Sequence, residues 1–268
     1  MNKVAREIYE RIDNDLYHAD GDSWWRSDSP LYLIHSSVNP ARVGYFKKKL
    51  FAELRVDPLG KAALDIGCGG GILCEEIARM GFAVTGIDPS AHSLQIAAGH
   101  AQAGGLRIQY EQGAGEAIPY RDHSYDMVFC CDVLEHVRDL PKVIAEISRV
   151  LKPGGVFCYD TLNRTFLSKL VAINISQVWK RWAYAPPNIH VWEMFIKPDE
   201  LKSLLGQNDL QWKEHRGLGL NVSFLKFLGY LRKRASGKLT YKDLGEKLFA
   251  VESRSMGIMY LGYAVKSQ

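Results

Sequence analysis

The stretch that decides the fold is ALDIGCGGGIL (residues 63–73), followed by VTGID (residues 84–88). An apolar strand enters a glycine turn that opens a helix, and a second strand ends at Asp88, twenty-one residues after Gly67. In parallel α/β sheets this spacing lays a nucleotide-type cofactor across the two strands, and the acid accepts hydrogen bonds from the ribose hydroxyls. The sequence therefore predicts an α/β fold with a cofactor site at residues 65–71.

The residue at position 72 distinguishes between two classes of cofactor. A dinucleotide fingerprint has a third glycine here, which packs the helix closely beneath a pyrophosphate, whereas this chain has Ile72. S-adenosylmethionine (SAM) carries a ribose but no phosphate, so it can bind without that glycine. Asp65, at the end of the first strand, adds negative charge near the ammonium and sulfonium groups. We therefore predict a SAM-dependent methyltransferase with Asp65, Gly67, Gly69 and Asp88 at the cofactor.

Composition limits the broad class of the protein. The chain has 268 residues, 47% of them hydrophobic, and a net charge of +4, which is typical of one large globular α/β domain. The five cysteines have no metal or disulfide spacing, which fits a reducing cytoplasm. No apolar secretory core begins the chain, and no apolar run is long enough to span a membrane. We expect a cytoplasmic protein.

From residue 62 onward, predicted strands and helices alternate, as in a parallel sheet with helices on both faces. We predict a single domain over 1–268, with a helical cover at 1–50, a SAM-binding core at 62–162, and helical lid insertions at 163–196 and 220–253. The sheet is expected to be Rossmann-like, seven-stranded and mostly parallel, with its last two strands as an antiparallel hairpin at the edge. The predicted strands lie near 62–66, 82–87, 107–111, 126–131, 155–161, 210–217 and 256–265.

The two insertions are basic and amphipathic. No acidic residue occurs at 163–192 or at 221–242, where basic side chains alternate with apolar ones, including tryptophans in the first insertion. Such helices suit the headgroup layer of an anionic membrane, where each Lys or Arg contributes about 1 kcal/mol. A lid helix over a substrate pocket has the same pattern. Both interpretations stay open, and this mixture of basic and apolar residues argues against a nucleic-acid partner.

The fourth predicted strand ends in CCDVLEHV (residues 130–137), at the sheet edge where open α/β sheets bind ligands. If a helical turn begins there, Asp132, Glu135 and His136 share one face. This set could hold a divalent cation, Mg²⁺ or Zn²⁺, or His136 could be the general base towards a phenolic hydroxyl. The alternative is that Asp132 only caps the helix.

Two more residues are candidates for the site. Glu116 follows the third predicted strand, near the expected position of an adenine. His190 closes the first insertion and is a second candidate for the catalytic base.

Several motifs resemble those of a known family. Residues 62–162 resemble class I SAM-dependent methyltransferases, with LEHV (134–137) and RVLKPGG (149–155) as common landmarks. More specific motifs resemble the polyprenyl-dihydroxybenzoate and demethylubiquinone 3-O-methyltransferases of ubiquinone biosynthesis. These motifs are Trp24-Trp25, Asn39-Pro40-x-Arg42-x-Gly44-Tyr45, Thr161-Leu162-Asn163-Arg164 and His190-x-x-x-x-Phe195-Ile196-x-Pro198.

The resemblance implies roles for individual residues. Arg42, Gly67, Asp88 and Cys131 would contact SAM, and Arg42 would pair with its methionyl carboxylate. The resemblance also implies a membrane-binding region in the first insertion.

For the metal, the resemblance points to Asp132, Glu135 and His136. Position 132 is Asp where the family usually has Glu, and Ala114 stands where many methyltransferases have an adenine-binding Asp.

Taken together, these observations predict a SAM-dependent O-methyltransferase for an aromatic hydroxyl of a polyprenylated quinone precursor. We expect it to lie peripherally on the inner face of an anionic membrane, as a member of a biosynthetic complex. One alternative is methylation of another small hydrophobic or phenolic metabolite. Another is a non-catalytic SAM-binding scaffold at the membrane.

Overall fold

One sheet forms the centre of the computed structural model, which describes residues 3–14 and 24–268. The strand order is β3-β2-β1-β4-β5-β8-β6-β7. The strands are β1 (Ala62–Ile66), β2 (Ala83–Asp88), β3 (Ile108–Gln112), β4 (Tyr125–Cys131), β5 (Leu151–Leu162), β6 (Leu210–Leu220), β7 (Ala250–Ser253) and β8 (Met259–Lys266).

The sheet is mostly parallel, as the sequence predicts. Strands β1 to β5 pair in parallel, whereas β8 runs antiparallel to both β5 and β6. The predicted count of seven strands is wrong, because the four-residue β7 pairs with β6 as an eighth strand. The predicted antiparallel pairing of the last two strands is confirmed, since β6 pairs with β8, but its position at the edge is wrong, because β7 forms the edge. A strand as short as Ala250–Ser253 carries too little alternation to be recognised in the sequence.

Helices cover both faces of the sheet. In the described part of the chain, the α-helices are α1 (Lys3–Tyr9), α2 (Asn39–Lys47), α3 (Ile72–Arg79), α4 (Ala91–Ala103), α5 (Leu140–Val150), α6 (Phe166–Ser168), α7 (Pro198–Gln207), α8 (Phe224–Ala235) and α9 (Tyr241–Lys247). Three π-helical segments adjoin them at Ile34–Val38, Lys48–Glu53 and Lys169–Val178. Short 3₁₀ turns occur at Leu134–His136 and Trp192–Met194. Residues 15–23 of the predicted cover lie outside the described residues.

Helix α5 illustrates how the sequence sets these elements. Its buried residues Val143, Ile144, Ile147 and Val150 recur at the helical period, so they form one apolar face against the sheet. The side chain of Asp139 accepts a hydrogen bond from the Lys142 N–H and caps the first turn.

Successive residues of the central strands pack into different cores. In β4, Met127 and Phe129 belong to the core under α2 and α3, and Val128 and Cys130 belong to the core under α5 and α7. Strands buried on both faces read as continuous apolar runs, which is why β1, β4 and β5 were identifiable from sequence. Their carboxyl ends meet at one edge of the sheet, where the predicted site residues lie.

The two insertions pack against each other above that edge. The π-helical segment Lys169–Val178 and the helices α8 and α9 share a third apolar core. Its buried members are Val171, Ile175, Phe227, Leu231, Tyr241, Leu244 and Leu248. None of the helices in the described part of the chain combines the length and apolar character needed to cross a bilayer.

Candidate active site

The glycine turn after β1 forms a cradle that side chains would fill. Gly67 has a φ of +68°, and a Cβ added there would collide with the side chain of Val133. Asp88 stands opposite, at the end of β2. Its Oδ2 accepts a hydrogen bond from the Gly69 N–H at 2.9 Å, and its Oδ1 accepts one from the Ser90 N–H at 2.8 Å. The predicted residues Gly67, Gly69 and Asp88 therefore form one unit, with the carboxylate oriented by backbone donors.

Two tryptophans of the N-terminal segment cover this turn. A Cβ at Gly69 would lie 2.6 Å from Cζ2 of Trp24, and Gly69 has a φ of +50°. The Trp24 indole donates to Ser93 Oγ at 3.2 Å, and the Trp25 indole donates to the carbonyl of Gly70 at 2.8 Å. The turn is thus enclosed between the sheet and the N-terminal cover.

Asp65 lies at the carboxyl end of β1 and is 2% exposed. Burial raises the pKa of its carboxyl to about 7, while a hydrogen bond from Cys74 and the charge of Arg42 work in the opposite direction. Cys74 Sγ lies 3.2 Å from Asp65 Oδ2. A carboxyl with this pKa becomes a full anion as soon as a cation lies beside it. Asp65 therefore suits the ammonium and sulfonium side of the donor.

Arg42 reaches the same edge from α2 but contacts two aspartates. It is 2% exposed, its Nε and Nη2 donate to Asp160, and Nη2 also donates to Asp132. Burial opposes the charge of Arg42, yet the two carboxylates outweigh it and hold its pKa well above the ordinary value. In the structure Arg42 is thus the centre of a buried ion cluster, and a methionyl carboxylate would have to share it with Asp160 and Asp132.

The sequence predicts that Asp132, Glu135 and His136 share one helical face. This prediction is wrong for Asp132. Asp132 has a φ of +56° and precedes the 3₁₀ turn Leu134–His136, so it does not share a helical face with the other two. Its N–H donates to Asp160 Oδ1 at 2.9 Å, and its carboxylate binds Arg42. The alternative role as a helix cap is not seen either, because the turn has no side-chain cap.

His190 takes the place of Asp132 in this cluster. One potential ligand atom from each of Glu135, His136 and His190 lies within 4.8 Å of the others, and the two imidazole centroids are 5.0 Å apart. The cluster joins a turn after β4 to the end of the first insertion. Sequence spacing could not reveal it, since His190 follows His136 by 54 positions in the sequence.

Glu135 is the most buried member of the cluster, at 1% exposure. Its Oε2 accepts a hydrogen bond from Thr161 Oγ1 at 2.7 Å, whereas Oε1 has no hydrogen-bond partner among the described residues. Burial raises its pKa to about 8, with Asp132 adding to the shift. A buried carboxylate oxygen without a hydrogen-bond partner, beside two imidazoles, has the properties of a metal ligand.

The two histidines are neutral at pH 7. Burial lowers the pKa of His190 to about 4 and lowers that of His136 well below its usual value. Asn14 orients His136, because its Nδ2 donates to the His136 carbonyl and its Oδ1 lies 3.2 Å from the ring Nδ1. The amide oxygen of Asn14 accepts a hydrogen bond from the Nδ1–H group, so Nε2 is the nitrogen with the lone pair.

The remaining predicted residues have supporting positions. Cys131 is buried at the end of β4 and lines the central cavity, as does Glu116. The Glu116 carboxylate accepts from the backbone N–H groups of Arg138 and Asp139, at 2.8 and 3.3 Å. Glu116 thus fixes the loop after the 3₁₀ turn.

One cavity of about 510 Å³ connects these groups. Near the glycine turn it is lined by Asp65, Gly67 and Asp88, and in its middle by His136 and His190. The same cavity extends to apolar residues of the insertions, including Phe227, Leu231 and Leu244. Pockets for organic ligands have this form, mostly apolar with a few convergent polar groups.

Three residues of the site were missed in the sequence. Asp160 ends the apolar run of β5 in the same way that Asp65 and Asp88 end β1 and β2, so that signal was available. Asn14 and Thr161 carry no comparable signal, because their roles depend on tertiary contacts with His136 and Glu135.

Comparisons with known proteins agree with this arrangement. A family model described as a methyltransferase domain matches residues 64–159. A ubiquinone biosynthesis O-methyltransferase from Brucella anthropi is 32% identical over 227 residues, which cover 82% of this chain and 90% of that protein. The chain belongs to the ubiquinone biosynthesis O-methyltransferase family. It is a SAM-dependent O-methyltransferase, and the family resemblance of its motifs is confirmed.

Other members of this family show the same degree of similarity. The ubiquinone biosynthesis O-methyltransferase of Azorhizobium caulinodans is 34% identical over 224 residues, covering 81% of this chain and 87% of the relative.

Solved structures confirm the methyltransferase fold. A protein from Pyrococcus horikoshii superposes with a TM-score of 0.59 at 17% identity, over 95% of this chain and 99% of that one. A SAM-dependent methyltransferase from Aquifex aeolicus gives a TM-score of 0.55 at 13% identity, over 97% of both chains. At such identities the likeness concerns the fold alone.

Proposed function

We propose that the protein methylates an aromatic hydroxyl of a polyprenylated quinone precursor of ubiquinone biosynthesis. The observation that carries this proposal is the single cavity that joins the glycine turn, the paired histidines and the apolar wall of the insertions. The names of its relatives point to the same acceptor class.

The cofactor end of the cavity is suited to SAM. Gly67 lines the cavity close to Val133, where no side chain would fit, and Asp88 lines the same end of the cavity for the ribose hydroxyls. Asp65 and the Arg42 cluster provide charge for the two ends of the methionyl part. When bound, SAM supplies an electrophilic methyl group on a sulfonium. The protein then contributes alignment and exclusion of water.

The histidines stand where the acceptor hydroxyl would enter. A phenolate attacks a methyl carbon far better than a phenol, so proton removal is the chemical demand on the protein. With no cation bound, His136, through Nε2, or His190 would accept that proton. Their lowered pKa values make both of them weak bases, so the acceptor hydroxyl needs a further source of acidity.

We assign this source to a divalent cation held by Glu135, His136 and His190. Two imidazoles and one carboxylate are a donor set typical of catalytic Zn²⁺ and less suited to Mg²⁺, which prefers oxygen ligands. The unpartnered Oε1 of Glu135 supports the fit. A cation there supplies Lewis acidity towards the acceptor oxygen. Asp132, which the sequence suggested as a ligand, remains with Arg42.

A membrane contact supplies the hydrophobic acceptor. Phe166 and Leu225 are 82% and 80% exposed, and Val178 and Trp179 are exposed on the first insertion as well. Basic residues accompany them, including Lys180, Arg181 and Lys226. Apolar side chains surrounded by Lys and Arg favour the headgroup layer of an anionic bilayer. We place this contact on the cytoplasmic face, where the biosynthetic partners of a quinone pathway would also lie.

The decisive experiment measures transfer of a labelled methyl group from SAM to a demethylubiquinone analogue. Wild-type protein is first stripped with a chelator and then assayed with Zn²⁺, with Mg²⁺ and without added metal. We expect transfer that is highest with Zn²⁺. Absence of transfer in all three conditions, with SAM binding intact by calorimetry, would refute the proposal.

The base is identified by single-turnover assays of His136→Ala and His190→Ala. Each variant is first shown to bind SAM with wild-type affinity. In protein stripped of metal with a chelator, the variant that lowers the rate of the chemical step at saturating acceptor identifies the base. Equal metal affinity of both variants and wild type would exclude the cation site.

A further inference from the structure

The distal arm of the cavity, between the two insertions, has no role in binding SAM or in removing a proton. Its walls come from the segment Lys169–Val178, from α8 and α9, from β6 and from the N-terminal segment. We infer that this arm binds the prenyl tail of the acceptor, and that Phe227 and Leu231 on α8 set the length of tail that fits. The inference rests on the proposed function and extends it to substrate specificity.

The lining of the arm is suited to hydrocarbon. Among the residues that the structure describes, no charged side chain lines the arm. Apolar residues form its wall from one insertion to the other. They are Leu33, Val171, Leu220, Phe227, Leu231 and Leu244. Burial of an isoprene unit against such a wall is favourable in proportion to the apolar area removed from water.

Two hydroxyl groups of the arm, those of Ser37 and Ser176, already bind the protein's own backbone. Ser37 Oγ donates to the Leu248 carbonyl, and Ser176 Oγ donates to the Ala172 carbonyl at 2.6 Å. A polar ligand would have to break these hydrogen bonds, and each buried group left unpaired costs free energy. The arm therefore selects an apolar occupant.

The arm is also connected to the reacting end of the cavity. Gln177 Oε1 accepts from the His190 N–H at 3.2 Å, and Gln177 Nε2 donates to the carbonyls of Ala172 and His190 at 2.7 and 3.4 Å. One segment thus binds the backbone of His190 and forms a wall of the arm. An aromatic headgroup at His190 would direct its substituent into the space beside Ala172.

Helix α8 carries one phenylalanine that lines the arm and a neighbouring one that does not, which provides a matched control. Phe227 and Leu231, four residues apart, are 3% and 1% exposed and line the arm. Phe224, on the same helix, is 48% exposed and does not line it. The substitutions Phe227→Trp and Phe224→Trp are therefore chemically identical, but only the first one reduces the volume of the arm.

The test compares catechol acceptors without a tail and with one, two or three isoprene units, in the absence of vesicles so that membrane docking does not contribute. For wild type we expect kcat/KM to rise about tenfold from the tail-less acceptor to the longest tail, because apolar surface is buried. Phe227→Trp should remove most of this rise, so that its kcat/KM depends little on tail length. Phe224→Trp should retain the wild-type profile.

Leu231→Phe is the second variant, in case Phe227→Trp folds poorly, and thermal unfolding is measured for all of them. A flat length profile in wild type, or the same profile in Phe227→Trp and Phe224→Trp, overturns the inference. Direct binding of farnesol by calorimetry separates the two proposals. If no acceptor is methylated but Phe227→Trp weakens farnesol binding about tenfold, the arm stands and the proposed function fails.

Discussion

The cofactor half of the molecule and the two insertions use their polar groups in opposite ways. In the cofactor half, Asp88 lines the cavity and backbone N–H groups orient its carboxylate, and the buried Asp160 is held by Arg42. In the insertions, Ser176 and Gln177 bind mostly their own segment, and apolar side chains face both the cavity and solvent. In the proposed function, the first half fixes the chemistry through directed hydrogen bonds, and the second selects the acceptor through shape and apolar surface.

The largest effect is expected from a substitution in the buried ion cluster of Arg42, Asp132 and Asp160. Replacing Asp160 with Ala leaves Arg42 buried with only Asp132 as its partner, and we expect the free energy of unfolding to fall by about 4 kcal/mol. Urea unfolding followed by circular dichroism measures this loss. Glu10→Ala removes an exposed ion pair with Arg6 and should change the value by about 0.5 kcal/mol or less. A loss below about 1 kcal/mol for Asp160→Ala would contradict the role of the cluster.

The second test concerns the donor site. Asp88→Asn removes the charge that accepts the ribose hydroxyls, and two charged hydrogen bonds of about 1.5 kcal/mol each correspond to roughly a 100-fold loss of SAM affinity. Calorimetry measures it. The control is Asp126→Asn at the other end of the sheet, where the acid binds Lys152 and the Ala62 N–H. If both variants keep wild-type affinity, Asp88 does not bind the ribose.

The third test uses pH. His190 has a pKa near 4 when folded and an ordinary value of 6.5 when unfolded. Between these values only the unfolded chain takes up the proton, so stability is complete above pH 6.5 and falls as the pH falls towards 4. We expect His190→Gln to reduce this loss by about 2 kcal/mol, a figure discounted for partial solvent access.

The control for this experiment is the exposed His92, whose replacement by Gln should preserve the wild-type pH dependence. Denaturant midpoints at pH 7 and pH 4.5 provide the measurement. Identical pH dependence in His190→Gln and wild type would show that the native imidazole is protonated in acid.

The smallest effect is expected at the outer surface of the insertions. The double replacement of Phe166 and Leu225 by Ser should weaken binding to anionic vesicles about tenfold and leave SAM affinity unchanged. Co-sedimentation with phosphatidylglycerol vesicles measures the binding. Leu59→Ser is the control, because Leu59 is 84% exposed but lies before β1, at the opposite end of the sheet. If Leu59→Ser weakened vesicle binding to the same extent, the surface around Phe166 and Leu225 would not be a specific membrane contact.

The cofactor half was largely predictable because its signals are local. Strand, glycine turn and terminal acid follow one another in sequence, so β1, β2 and the unit of Gly67, Gly69 and Asp88 could be located before any coordinates. Asp160 carries the same signal at the end of β5.

The rest of the site depends on contacts between distant segments. The left-handed backbone conformation of Asp132 separates this residue from the helical face of Glu135. No sequence pattern predicts that conformation for an aspartate. The contacts of His190 with His136, and of Asn14 with His136, join segments that the sequence does not relate. The predicted number of strands was wrong for a similar reason, since β7 forms only through its pairing with the distant β6.

The positions of the tryptophans give the enzyme two built-in optical reporters. Trp24 rests on the glycine turn, and the ring of Trp25 stacks on His100 with centroids 3.5 Å apart. Their emission should be quenched or shifted when the donor occupies the neighbouring space. Trp179, at 42% exposure on the outer surface, should instead shift to the blue when it enters lipid. Occupancy of the two ends of the protein can thus be followed in one cuvette without any label.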